Sequence, residues 1–427
     1  YYTYWIGELA KNPAMNSAAI GKLICDGSMA YYEAKGSYGA KIGAYSVINL
    51  SKMPELRKAY EKYFSEAKER SVKERGFSGK FARAASSGQA ERYSDWYTDL
   101  GILAENTAAI LPESSAELSK AIEDAVVYNR KGSYLRAKGI STYYPYTLSE
   151  FDNFLTQKST PSSQKNLYKN LLKLDVSGLS KLPIGQDSDG QGFVQLTPEQ
   201  LENVSSVDCL ILQESDAEKN SYVIFPSDTH LMRNKDSANS FIEGRFTENF
   251  SWGGQPTIDG HKVMLNLISE HQPNKKTEDD TADAEAARDF YEVPICIFQK
   301  DKNGETKRFD YNLLVAYDWR TDENKKWIIV GIGSDVENGM VRQLIYTPKA
   351  GEGITIYPRL LMVDSDSYKE ILGEPFVYKE DSTIGFTPFE AGTYLYFFRF
   401  AAPNGKIATS SRILIDVDEN GNITRRF

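Results

Sequence analysis

Six side chains in this sequence have the chemistry of a thiolate–imidazole couple: Cys25, Cys209 and Cys296, and His230, His261 and His271. A cysteine attacks a carbonyl as thiolate, so it needs an imidazole or a helix N-terminus to lower its pKa, and access to solvent. None of the three has that setting. Cys25 follows Ile24 inside a helical apolar stripe, Cys209 lies in the run Val207 to Leu212, and Cys296 stands between Ile295 and Ile297. Free cysteine is among the most buried residue types, so all three read as core. The histidines fall in the second half, near turns or strand ends, and read as surface or hydrogen-bonded residues. No catalytic residue is assigned within the chain. Three widely spaced cysteines also offer neither a disulfide framework nor a CxxC metal site.

Two acidic runs, Asp187-Ser188-Asp189-Gly190-Gln191-Gly192 and Asp416-Val417-Asp418-Glu419-Asn420-Gly421, begin like calcium loops. The bidentate Glu that such a loop needs at its twelfth position is replaced by Pro198 and Phe427, so both read as turns and no metal or cofactor is assigned from the residues. The stretch Lys68 to Arg92 carries seven basic residues among Gly76, Gly79, Ser86, Ser87 and Gly88 and reads as a solvated loop. At pH 7 the formal net charge is −9, which argues against a nucleic-acid partner, because phosphate contacts need clustered bases in excess. No apolar run approaches the roughly 18 residues of a membrane span, and the N-terminus does not read as a signal peptide.

At 427 residues and 41% hydrophobic content the chain can build two or three packed domains. Up to about residue 135 the pattern is helical. Asn16 or Ser17 caps a stripe through Ile20, Leu23, Ile24 and Met29, and Ser51 opens another with Leu56, Tyr60, Tyr63 and Phe64. A third helix spans Ser115 to Tyr128. Two short strands, Lys41 to Ile48 and Gly139 to Tyr144, interrupt the helices and can at most pair with each other, so they call for further strands upstream of Tyr1. After Ser159-Thr160-Pro161-Ser162-Ser163 and a helix around Gln164 to Leu174, alternating runs and turn signals mark an all-β region. Asp301-Lys302-Asn303-Gly304 and Glu419-Asn420-Gly421-Asn422 predict type I′ hairpins. The domains expected are 1–158, a linker and short helix over 159–180, and a β-sandwich region over 181–427, with subdomains at about 181–300 and 301–427.

Several phrases resemble the clostripain-like cysteine peptidases, whose catalytic fold is caspase-like and gingipain-like. They are Tyr2-Thr3-Tyr4-Trp5 with Leu9-Ala10-Lys11-Asn12-Pro13, Ser46-Val47-Ile48-Asn49-Leu50-Ser51-Lys52-Met53, Asp99-Leu100 before a helix, and Ala137-Lys138-Gly139-Ile140-Ser141-Thr142-Tyr143-Tyr144-Pro145-Tyr146. The match continues through Leu196-Thr197-Pro198-Glu199-Gln200-Leu201 and Trp252-Gly253-Gly254-Gln255-Pro256-Thr257-Ile258-Asp259-Gly260. In that family the catalytic histidine stands in a His-Gly context and the cysteine follows an acidic residue at a strand end. Neither motif occurs here.

The resemblance implies the C-terminal portion of an α/β caspase-like catalytic domain followed by an all-β, sandwich-like region, with the catalytic pair upstream of Tyr1. It further implies a secreted or surface-attached bacterial endopeptidase that cleaves protein or peptide substrates after Arg or Lys, partnered by an N-terminal segment of the same precursor. Calcium dependence follows from the family alone. For such an enzyme Arg75, Arg83 and Arg92 are expected self-cleavage points, and Tyr2 and Trp5 either pack in the core or form the rim of the substrate cleft. The competing expectation is a non-catalytic binding or adhesion protein, or pseudopeptidase, whose β-sandwiches carry the function.

Overall fold

The computed structural model describes residues 3–34, 43–86, 97–132, 136–144, 154–155, 160–216, 221–225, 243–248, 254–269, 288–300, 303–318, 327–334, 344–364 and 367–427. They form two compact units, one made of the chain up to Lys173 with two short later stretches, the other made of the rest from Leu174.

The first unit opens with helices α1 (Thr3–Lys11) and α2 (Ser17–Ala34). The Asn16 side chain accepts from the Ala19 N–H and caps α2, as the sequence predicts. Strand β1 (Ala44–Ile48) leads into a short 3-10 turn (Leu50–Lys52), which Asn49 caps with its carboxamide oxygen accepting from the Ser51 N–H, and on into α3 (Met53–Lys73). Then come α4 (Phe77–Ser86), β2 (Tyr97–Asp99), α5 (Leu100–Thr107), α6 (Pro112–Ala125), β3 (Val126–Lys131), β4 (Ser141–Tyr143) and α7 (Ser162–Leu171). Its core gathers Tyr63, Phe64, Phe81, Leu118, Leu167 and Tyr168, all fully buried.

Three expectations are corrected here. The helix expected over 115–128 spans Pro112–Ala125, because Pro112 suits a first turn and the β-branched pair Val126-Val127 carries the chain directly into β3. The two expected strands do not pair with each other. Instead β1 pairs antiparallel with β3, from Ala44 opposite Lys131 to Ile48 opposite Val126, and β4 pairs with β2. The expected basic loop over 68–92 is largely helical as far as Ser86, since α3 runs to Lys73 and α4 fills 77–86; residues 87–92 lie outside the described residues.

The β1–β3 ribbon is covered on both faces. On one side α2 packs so closely that a Cβ at Gly21 would lie 2.7 Å from a Val47 methyl, and Tyr128 donates to Asp26 at 2.5 Å. On the other, Ser46 donates to the Gly139 carbonyl at 2.6 Å and Asn129 to that of Ala137 at 2.7 Å. Among the described residues neither strand has a second neighbour. Helix α7 packs along α3. Tyr60 donates to Gln164 Oε1 at 2.6 Å, Gln164 Nε2 donates to Tyr168 Oη at 3.0 Å, and Tyr168 donates to the Tyr143 carbonyl at 2.5 Å. Burial pushes the Tyr60 hydroxyl up to about 12. This satisfied polar cluster fixes the helix after the linker to the first unit.

From Leu174 on, strands dominate, and among the described residues fourteen of them join one sheet. The strand Gly392–Ala401 shows why: Tyr394, Tyr396, Phe398 and Phe400 point to one face and Leu395 and Phe397 to the other, and all are buried, as a strand covered on both sides requires. Two separate cores lie on the first of these faces. One is built from residues 176–246 and 394–417, including Cys209, Tyr396 and Ile413; the other, nested between these in sequence, is built from residues 258–378, including Val293, Leu313 and Ile356. The strand Gly353–Asp364 joins them, pairing through Tyr357 and Pro358 with Arg288–Lys300 and through Met362 to Asp364 with Ser221–Phe225. A boundary near residue 300 is therefore not the natural one: Arg288–Lys300 and Thr306–Asp318 are adjacent strands of a single sheet.

The turns differ from expectation too. Only the glycines of Asn303-Gly304 and Asn420-Gly421 have positive φ, at 82° and 79°. At the second, Gly421 donates to the Asp418 carbonyl and Asp418 to that of Asn422, a type I turn with a glycine bulge. Positive φ at both turn residues occurs instead at Asp259-Gly260, 50° and 85°, inside one of the family-like phrases.

Candidate functional site

The three cysteines are free and buried, at 5% exposure for Cys25 and 0% for Cys209 and Cys296. Burial pushes the Cys25 thiol up, helped by the neighbouring Asp26 carboxylate, and burial also raises that of Cys296. Both shifts favour the inert thiol over the nucleophilic thiolate. His261 stacks flat on Phe376, ring centroids 4.8 Å apart, with Glu374 3.6 Å from Nδ1. His230 and His271 lie outside the described residues.

The two calcium-like runs are closed turns. Asp187 Oδ1 accepts from the Asp189 and Gln191 N–H groups at 3.0 and 2.8 Å; Asp418 Oδ1 accepts from Asn420 and Asn422, both at 2.8 Å. These are Asx turns in which backbone donors occupy a carboxylate oxygen. Among the described residues no cluster of three His, Cys, Asp or Glu side chains stands ready for a metal.

Of the basic residues singled out as cleavage points, Arg75 sits exposed in the turn between α3 and α4. Arg83 lies within α4, half-buried, its guanidinium pushed down to about 10 by burial. Proteolytic nicking favours exposed, extendable backbone, so Arg75 is the better placed of the two. Arg92 lies outside the described residues, as does Tyr2. Trp5 is half-buried in α1 against α2, where a Cβ at Gly27 would lie 3.0 Å from its own.

What the chain does assemble is a junction around Gly139. Asp99, fully buried, accepts from the Ile102 N–H at 2.9 Å and so caps α5, while its other oxygen accepts from Lys138 at 2.8 Å and Gly139 at 3.3 Å. Gly139 has φ of +98°, and a Cβ there would lie 3.1 Å from Ser46, which donates to its carbonyl. The site therefore holds three chain segments together and brings no acid, base and nucleophile into one place. An Asp directly before an apolar helical run is a readable cap signal; that its second oxygen gathers a loop some 40 residues on is not readable in a local pattern.

In the second unit Glu248, 3% exposed, is a buried carboxylate paired through one oxygen with Arg425; among the described residues its other oxygen has no hydrogen-bond partner. Burial raises its carboxyl pKa in spite of Arg425. No protein-family model matches the chain, nor does any curated protein or solved structure. Among the described residues no helix is long and apolar enough to cross a membrane.

Proposed function

We propose that the chain is the part of a clostripain-like cysteine endopeptidase that follows its catalytic histidine and cysteine, in an enzyme that cleaves after Arg or Lys and is secreted or held at a bacterial surface. The observation that carries the reading is the junction at Gly139. Three of the phrases behind the resemblance, around Ser46, Asp99 and Gly139, lie up to 93 residues apart and bond directly to one another. A ribbon covered on both faces, with no further strand beside it among the described residues, suits a strand pair that belongs to a wider sheet. Because Cys25, Cys209 and Cys296 are buried, the nucleophile and base come from outside these residues. The strand-rich region is an accessory β-sandwich in this reading.

The test is hydrolysis of Arg-amide and Lys-amide peptides by the chain alone and by the chain joined to an upstream segment bearing His-Gly and acidic-Cys motifs. The joined protein is expected to cleave both and to lose activity on thiol alkylation. Cleavage by residues 1–427 alone, or an inert joined protein, overturns the proposal. A second reading, a non-catalytic binding or adhesion protein, is favoured by the two self-contained cores of the second unit. Replacement of the upstream His and Cys by inert residues in the natural precursor would select it.

A further inference from the structure

In the second unit Ile295, Ile297 and Ile356 point into one core, and the sheet face turned away from them carries a different set of side chains. Cys296 stands opposite Tyr357, Leu372 opposite Arg359 and Val377 opposite Thr355, and partners in register share a face. Phe298, two residues beyond Cys296, lies on it too, its ring 5.0 Å from that of Tyr357. Here four charged side chains close a ring. Arg308 donates through Nε to Asp310 at 2.6 Å and through a terminal nitrogen to Glu370; Arg359 donates through Nε to the other Glu370 oxygen at 2.7 Å and brings a terminal nitrogen to 3.8 Å from Asp310. The ring joins Thr306–Asp318 to Gly353–Asp364 and Ser367–Leu372 across Arg288–Lys300, which lies between the first two. Strands two apart stand roughly 10 Å from each other, and the guanidinium arms close that gap over a residue as small as Cys296, whose thiol feels all four charges. Burial opposes ionisation of Glu370, yet the two guanidiniums hold its carboxyl below the usual range, so the ring carries two charges of each sign at neutral pH. On the same face Phe298, Leu372 and Val377 stand 40%, 39% and 44% exposed.

We propose that this face docks a second copy of the chain in a two-fold contact. Because each arginine reaches both acids, positive and negative corners alternate around the ring. An alternating square turned over onto its own copy, about a two-fold axis in its plane that bisects two sides, sets every positive corner against a negative one. An isologous interface demands that self-complementarity, since one patch must serve both sides. The ring also sums to zero on a chain whose formal net charge is −9, so copies meet there without the local repulsion that a share of that charge would impose. Exposed ion pairs add little affinity, so Phe298, Leu372 and Val377 supply the attraction and the ring sets the register.

Sedimentation equilibrium of the intact chain over a rising concentration series reads the contact directly. The mass is expected to climb from one chain to two and stop there. Phe298→Glu, at an exposed position, should weaken the association by about tenfold or more, and Arg308→Glu, which leaves one positive corner among three negative ones, should weaken it as well. Ile407→Glu, 57% exposed on the separate strand Ile407–Thr409, should leave it unchanged. Urea titration of each variant confirms that it is folded. A natural chain that stays monomeric throughout the series overturns the proposal, as does an association that Phe298→Glu or Arg308→Glu leaves intact or that Ile407→Glu weakens equally.

Discussion

The two units use antiparallel pairing in opposite ways. Beyond Leu174, Gly392–Ala401 finds a partner for eight consecutive residues along Ser206–Asp216 and a second neighbour on its other edge. In the first unit β1 and β3 meet over five residue pairs and β2 and β4 over three, and among the described residues no further strand joins either ribbon. Helices α3, α5, α6 and α7 supply the core that these short strands cannot. Cohesion is therefore sheet-borne in one unit and helix-borne in the other.

Limited proteolysis of residues 1–427 should break this symmetry most visibly. Each buried backbone group without a partner costs roughly 1–3 kcal/mol, against a whole-domain stability of about 5–15 kcal/mol, so a few of them suffice to loosen a domain. The segment before Leu174 is expected to be lost quickly and the remainder to persist as a resistant fragment; uniform resistance of both would show that the first unit completes its own sheet.

Truncations sharpen the contrast. Phe398→Ala, at a fully buried position, should destabilise the strand-rich unit by about 3–5 kcal/mol in urea titration and leave the melting of the helical unit in place. Asp99→Ala should do the reverse: it strands three backbone N–H donors and removes a helix cap, a loss of about 3 kcal/mol confined to the first unit. A single shared transition in both variants would contradict the division.

The smallest effect concerns Glu248. Its carboxyl pKa is raised in the folded chain, so its contribution to stability is fully present below the unfolded value and is lost as pH rises through the folded one. In Glu248→Gln this dependence disappears. The stability of the natural chain minus that of the variant, followed by urea titration across pH, should be largest at the acid end and decline toward neutrality. A flat difference would mean that Arg425 fully compensates the buried charge.

These features were legible in the sequence to unequal degrees. Long alternating runs such as Tyr394 to Phe400 announce themselves because a period of two over many residues has no helical counterpart. Val126–Lys131 was hidden because no breaker separates it from α6, and Tyr97–Asp99 because three residues carry no period. The burial of all three cysteines followed from their apolar neighbours. The nested cores did not, since which strand a run pairs with depends on contacts more than a hundred residues away, as between Gln255 and Thr387. The Gly139 junction failed to show for the same reason.

The strand Gly353–Asp364 serves both cores of the second unit, and that gives it the character of a shared reading frame. Ile356, Leu360 and Met362 face one side and Tyr357 and Leu361 the other, in step along the whole strand. Deleting one residue beyond Pro358 would send Leu361 to the face that Leu360 and Met362 occupy and carry them to its opposite, shifting the pairing with Ser221–Phe225 as well. Lengthening or shortening the chain is easily absorbed by a loop, but in this strand a single codon lost puts two hydrophobic interiors out of phase with each other.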